Sequence, residues 1–177
     1  MKEFLLAWAR TGPKEGGYVA HPSDRGGPTM WGITERVARA NGYKGPMNQL
    51  PLETAMEIGK TQYWDVLNLD KIAAVRQPIA HEMFDTLYNG GDVGSWLQRC
   101  LNALNARGSM YPDMKVDGRI GPLTVDSLRI YIARRGKEGE AVLLKALNAI
   151  QGERFLRLAE ADVKQEDFVY GWLRERA

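Results

Sequence analysis

Cysteine, histidine and long apolar runs are the scarce features of this 177-residue sequence, and each scarcity excludes something. A single cysteine, Cys100, rules out any intrachain disulfide. Its setting, Leu97-x-x-Cys100-Leu101, lies on an apolar stripe of helical spacing, which suits a buried structural thiol better than a nucleophile. Two histidines, His21 and His81, are too few for a zinc site, so neither metal nor cofactor is expected. The apolar run near the start, Phe4 to Ala9, is only six residues long and is closed by Arg10. That is shorter than the core of a secretory signal. No stretch reaches membrane-spanning length, so stable membrane insertion is not expected. Synthesis in the cytoplasm without a signal peptide follows as the expectation, with another protein letting the chain out if its substrate lies outside.

Charge of either sign is also modest. The formal net charge is +2, which does not by itself argue for nucleic acid. The distribution is uneven: Arg99 to Lys137 carries eight Lys/Arg against three Asp. A local excess of that size suits an acidic polymer such as cell wall, although a solvated helix face would look the same. The aromatics are not interleaved with these basic residues in any nucleic-acid module, so no nucleic-acid partner is expected. With 44% hydrophobic and 26% charged residues, the composition is that of a globular protein able to bury a core.

Local signals point to a mainly α fold. Residues 3–10 read as a short amphipathic helix stopped by Gly12-Pro13. Thr34 N-caps a second helix that ends at Asn41-Gly42. Pro51 opens a third, running into Tyr63-Trp64. Further helices are expected over 70–75, 78–88, 93–105, 123–134, 140–161 and 168–175, with 108–121 irregular. No linker divides the chain and no internal repeat is present. The expected organisation is a catalytic region, 1–95, and a helical region, 96–177, packed as one compact body.

The irregular exception is informative. Gly16 to Gly32 contains five glycines and two prolines, more than a surface turn needs, with a small β excursion expected around 18–20 and 30–33. Glu15 opens this stretch and Asp24 lies nine positions on. Glycosidases need an acid to protonate a departing sugar oxygen and a second polar group to handle water or positive charge. This segment holds both.

Glu15-Gly16-Gly17-Tyr18, His21-Pro22-Ser23-Asp24, Gly26-Gly27-Pro28-Thr29 and Gly32-Ile33-Thr34 together closely resemble the signature of glycoside hydrolase family 108. Weaker matches follow in order: Tyr63-Trp64-Asp65, Phe84-Asp85 with Asn89-Gly90, Leu97-Gln98, and Arg154-Phe155. Asp117-Gly118-Arg119-Ile120-Gly121-Pro122-x-Thr124 is similar to a turn of peptidoglycan-associated helical modules. The resemblance implies a lysozyme-like helical domain with an irregular active-site segment. It implies an N-acetylmuramidase that cuts peptidoglycan between N-acetylmuramic acid and N-acetylglucosamine. Members of the phage endolysin type act on the wall as monomers after a holin-like partner opens the inner membrane.

Under that resemblance Glu15 is the general acid, its pKa raised by burial against Tyr18 or Trp31. Asp24 either handles water and the oxocarbenium-like transition state or makes a Ser23-Asp24-Arg25-Gly26 turn. The Glu and Asp spacing matches phage-type lysozymes, but the position of their third residue, a Thr, is Met30. Thr29 and Thr34 are the nearest hydroxyls. Tyr18, Trp31, Tyr63, Asp85, Tyr88 and Asn89 are candidates for a sugar groove, while Trp64 and Trp96 read as core. His21 supports the loop by hydrogen bonding. Asp117, Arg119 and Arg129 are wall-contact candidates, the Asp117 turn being readable also as purely structural. A lytic transglycosylase and a non-catalytic wall-binding protein are the alternatives.

Overall fold

Residues 1–11, 17–20 and 27–176 are described by the computed structural model. The backbone divides into two compact units, Met1–Val66 and Leu67–Ala177. The mainly α expectation is borne out, with one small sheet among the described residues.

In the first unit, helix α1 (Lys2–Thr11) turns Phe4, Ala7, Trp8 and Thr11 inward, the spacing of one helix face. Phe4 stands 5.9 Å from both the Trp8 and Trp64 rings, edge-on to the latter. Full burial of such rings contributes about 2 kcal/mol each, and the edge contact about 1 kcal/mol more. Trp8 lies over Gly59 of α3 (Leu52–Gly59), where any Cβ would overlap its ring. The glycine therefore sets how closely α1 approaches α3.

Three two-residue strands, β1 (Tyr18–Val19), β2 (Thr29–Met30) and β3 (Ile33–Thr34), form an antiparallel sheet in the order β1-β2-β3. Tyr18 opposes Met30 and Val19 opposes Thr29; on the other side Met30 opposes Ile33 and Thr29 opposes Thr34. Ile33 is fully buried, so the row through Met30 is the inner one at its β3 end. The Trp31-Gly32 loop joining β2 to β3 has φ of 58° and 76°. Two consecutive positive φ values are the type I′ hairpin pattern, whose twist matches that of the strands. Helix α2 (Glu35–Ala40) starts from Thr34, whose hydroxyl accepts the Val37 N–H as expected of an N-cap, and ends at Asn41. After α3 the chain makes a π-helical turn over Lys60–Trp64 rather than ordinary helix.

The second unit comprises α4 (Leu69–Val75), α5 (Gln77–Tyr88), α6 (Val93–Leu104), α7 (Pro122–Ala161) and α8 (Glu166–Arg176). On α6 the expected stripe is inward: Val93, Trp96, Leu97, Cys100 and Leu101 are buried, and burial pushes the Cys100 thiol pKa up. The two helices expected over 123–134 and 140–161 are separated by Gly136 alone, at φ 59° and ψ −142°. Lys137, Glu138 and Gly139 continue helically, so the break is one residue wide rather than five. The Tyr131 hydroxyl donates to the Gly139 carbonyl at 2.9 Å. Eight residues of unbroken helix would separate the two by about 12 Å along the axis, so the bond exists because the chain turns at Gly136.

Candidate active site

The small sheet places two of the expected hydroxyls side by side. Thr29 and Thr34 are direct cross-strand partners and therefore share a sheet face. The Thr29 hydroxyl donates to the Gly27 carbonyl at 3.0 Å, leaving its lone pairs to accept. The Thr34 hydroxyl accepts from Val37 N at 3.4 Å, leaving its proton to donate. One hydroxyl is thus an acceptor and its neighbour a donor, which is what an oriented water needs. Tyr18 falls on the opposite row with Met30 and is about half exposed. Met30 faces away from the threonine pair, so the departure at this position does not place a thioether between the two hydroxyls.

Trp31 occupies a left-handed backbone position that costs a non-glycine residue about 1 kcal/mol. Its indole Nε1 donates to the Leu50 carbonyl at 3.0 Å, tying the hairpin tip to the segment before α3. In the π-helical turn, Trp64 is fully buried and Lys60 grips both Asp65 oxygens at 2.6 and 2.7 Å. The Tyr63 phenol pKa is raised by burial, with the Arg36 charge opposing. Glu15, His21 and Asp24 lie outside the described residues. By sequence, Glu15 stands two positions before Gly17, and Asp24 falls between β1 and β2.

Asp85, Tyr88 and Asn89 lie in the second unit. Asp85 pairs with Arg176 at 3.4 Å, and the Tyr88 ring lies tilted 5.5 Å from that of Phe84. Asn89 caps α5 by donating its side-chain N–H to the Asp85 carbonyl at 2.8 Å. Beside them is a carboxyl not foreseen from sequence. Glu82 has its pKa pushed up to about 7, first by burial and then by the Asp85 charge. The Asn148 and Gln151 amides, turned to donate, reach its Oε1 at 3.1 and 3.2 Å. The signal available was its place one turn from Ile79 and Thr86, at the edge of the buried face of α5.

The turn at 117–119 is built around Gln98, a buried amide on α6. Gln98 Oε1 accepts the Asp117 and Gly118 N–H groups at 2.9 Å each. Gln98 Nε2 donates to Asp117 Oδ1 and to the Arg119 carbonyl at 3.0 Å each. The Gln98 bond and the Arg119 N–H hold the Asp117 carboxyl pKa below its usual range. Arg119 and Arg129 are exposed, and Arg129 pairs with Asp126 beside a cleft of about 290 Å³.

Two known sequence families match the chain in succession. Residues 9–91 match the model of glycosyl hydrolase 108, and residues 93–177 match that of a predicted peptidoglycan domain. Residues 9–91 are a glycosyl hydrolase 108 domain.

The glycosyl hydrolase 108 domain holds Glu15, the threonine pair and the Asn89 turn, while Gln98 and the Asp117 turn belong to the peptidoglycan domain. A glycoside hydrolase domain joined to a peptidoglycan domain makes the chain a peptidoglycan hydrolase. The hydrolase domain extends past Val66 and so includes the start of the second compact unit. Among solved structures, SagA of Brucella abortus is similar in fold, with TM-score 0.64 and 23% identity over 98% of this chain and 97% of that one. No curated protein matches the sequence. Among the described residues no helix is long and apolar enough to cross a membrane.

Proposed function

We propose that the chain is an N-acetylmuramidase in which Glu15 protonates the glycosidic oxygen between N-acetylmuramic acid and N-acetylglucosamine. The observation that carries this reading is the match of residues 9–91 to glycosyl hydrolase 108, since that span contains the Glu15 and Asp24 signature. Asp24 supplies the second carboxyl, acting on the attacking water or on the oxocarbenium-like charge. The Thr29 and Thr34 hydroxyls support a water-positioning role, because one accepts and the other donates. Thr34→Ser keeps both the cap and the donor and should retain turnover; Thr34→Val should lose both.

Release to the wall through a holin-like partner, in the manner of a phage endolysin, belongs to the same proposal, as does action by a monomer. Arg119 and Arg129 are proposed as wall contacts, being exposed, whereas Asp117 serves by holding the turn that presents Arg119.

The test is mass analysis of digested, borohydride-reduced peptidoglycan, with native protein and Glu15→Gln side by side. Reduced muramic acid ends from the native protein alone are expected. Anhydro ends would make the enzyme a transglycosylase, and reduced glucosamine ends a glucosaminidase. Wall binding with no product from either protein would leave a binding module.

A further inference from the structure

Two other arginines of the second unit that are withdrawn from solvent are paired. Arg176, with its side chain 8% exposed, meets Asp85, and Arg76 meets Glu140. Arg154, on the second half of α7 between the buried Gln151 and Phe155, is different. It is half-buried, and no described residue gives it a hydrogen bond or an ion pair. Burial alone moves its pKa, and the direction is down, with no carboxylate opposing. A guanidinium withdrawn from water without a partner is a net cost to the fold, since nothing returns the lost hydration. Such a cost persists where another molecule supplies the missing charge.

The surroundings are open at this point. Arg154 Nη2 lies 3.2 Å from where a Cβ of Gly90 would stand, and Gly90 is exposed with φ +77°. A side chain at position 90 would crowd the guanidinium; glycine leaves it accessible beside the Asn89-Gly90 turn. Asn89 spends its amide N–H on the Asp85 carbonyl, and its Oδ1 has no partner among the described residues. The turn therefore presents a planar cation and a free amide oxygen, acceptor next to donor. Planar guanidinium is suited to two-pronged binding of a carboxylate.

We propose that Arg154 is a substrate-binding residue that takes a free carboxylate of peptidoglycan, with Asn89 Oδ1 accepting a neighbouring N–H. The inference rests on the peptidoglycan hydrolase reading for its ligand class. Peptidoglycan offers that carboxylate from two places: the stem peptide, or the lactyl group of muramic acid once the peptide has been removed.

The experiment is calorimetric titration of the full chain with four probes too short to be cleaved. They are the N-acetylglucosamine–N-acetylmuramic acid disaccharide with free lactyl carboxylate, the same disaccharide bearing a tripeptide, that tripeptide form with its carboxylates amidated, and chitobiose. Native protein is expected to prefer a free-carboxylate probe over its uncharged counterpart by at least about tenfold, the scale of one charge-assisted hydrogen bond. Arg154→Met should erase that preference, and Arg154→Lys should keep part of it. A preference for the tripeptide form over its amidated version assigns the stem peptide; a preference for the bare disaccharide over chitobiose assigns the lactyl group.

Thermal melting of the same variants separates binding from scaffolding. Arg154→Met is expected to melt no lower than native protein, because it removes an unpaired charge. A lower melting temperature with the carboxylate preference unchanged would overturn the inference. So would a native protein that binds charged and uncharged probes equally; if it still digests sacculi, the hydrolase reading stands without Arg154. Neither digestion nor binding would remove both.

Discussion

The side chain of Gln98 clasps Asp117 at both ends, donating to its carboxylate at 3.0 Å and accepting its backbone N–H at 2.9 Å. Through this clasp a helix of the peptidoglycan domain fixes a turn nineteen residues away. Gln98 is 2% exposed, so its removal would leave the Asp117 and Gly118 N–H groups without their partner. Gln98→Ala is therefore expected to lower unfolding free energy by about 3 kcal/mol in urea titration, and Gln98→Glu by less. Gly94 assists by lacking a Cβ where the Gly118 carbonyl comes close, so Gly94→Ala should destabilise through the same turn.

Gly59 carries a second prediction. A methyl group there would collide with the Trp8 ring, pushing α1 off α3 just ahead of Glu15. Gly59→Ala should destabilise by about 2 kcal/mol and reduce lysis of cell-wall suspensions. Trp8→Leu in the same chain should recover part of the loss by making room. Equal melting temperatures for the single and double variants would contradict the contact.

Glu82 makes stability depend on pH. Its folded pKa, about 7, lies above the ordinary 4.5, so folding favours the protonated form. The contribution is complete below pH 4.5 and is lost as pH rises to about 7. Above that the native protein is less stable by about 3 kcal/mol than it would be without the effect. Glu82→Gln should be flat across this window and more stable than the native protein at pH 8, measured by chemical denaturation at both ends.

Much of the fold was legible locally because helix ends are marked by their own residues. Thr34, Asn41 and Pro51 stand where a cap, a terminator and a starter were read, and the stripe from Val93 to Leu101 is buried as its spacing required. What escaped depends on partners distant in sequence. Gly59 and Gly94 are ordinary helix glycines until Trp8 and Gly118 arrive beside them. Trp31 at φ 58° breaks the usual preference for Asn, Asp or Gly in a type I′ turn, and its bond to Leu50 helps to hold it there. The family was legible from the Glu15 to Thr34 stretch, which lies within the residues matched to glycosyl hydrolase 108. Arg154 and Glu82 were not, since an unpaired cation and a raised carboxyl are defined by what surrounds them.

The one-residue break at Gly136 has an architectural consequence. Its φ of 59° with ψ of −142° is a backbone state open to glycine and strained for other residues. With alanine at 136, Pro122–Ala161 would favour a single rod about 60 Å long, and Tyr131 could no longer reach Gly139. The far half of such a rod would meet its complement most readily on another molecule. Gly136→Ala is thus expected to favour exchange of the far half of α7 between molecules, visible as a shift in gel-filtration volume.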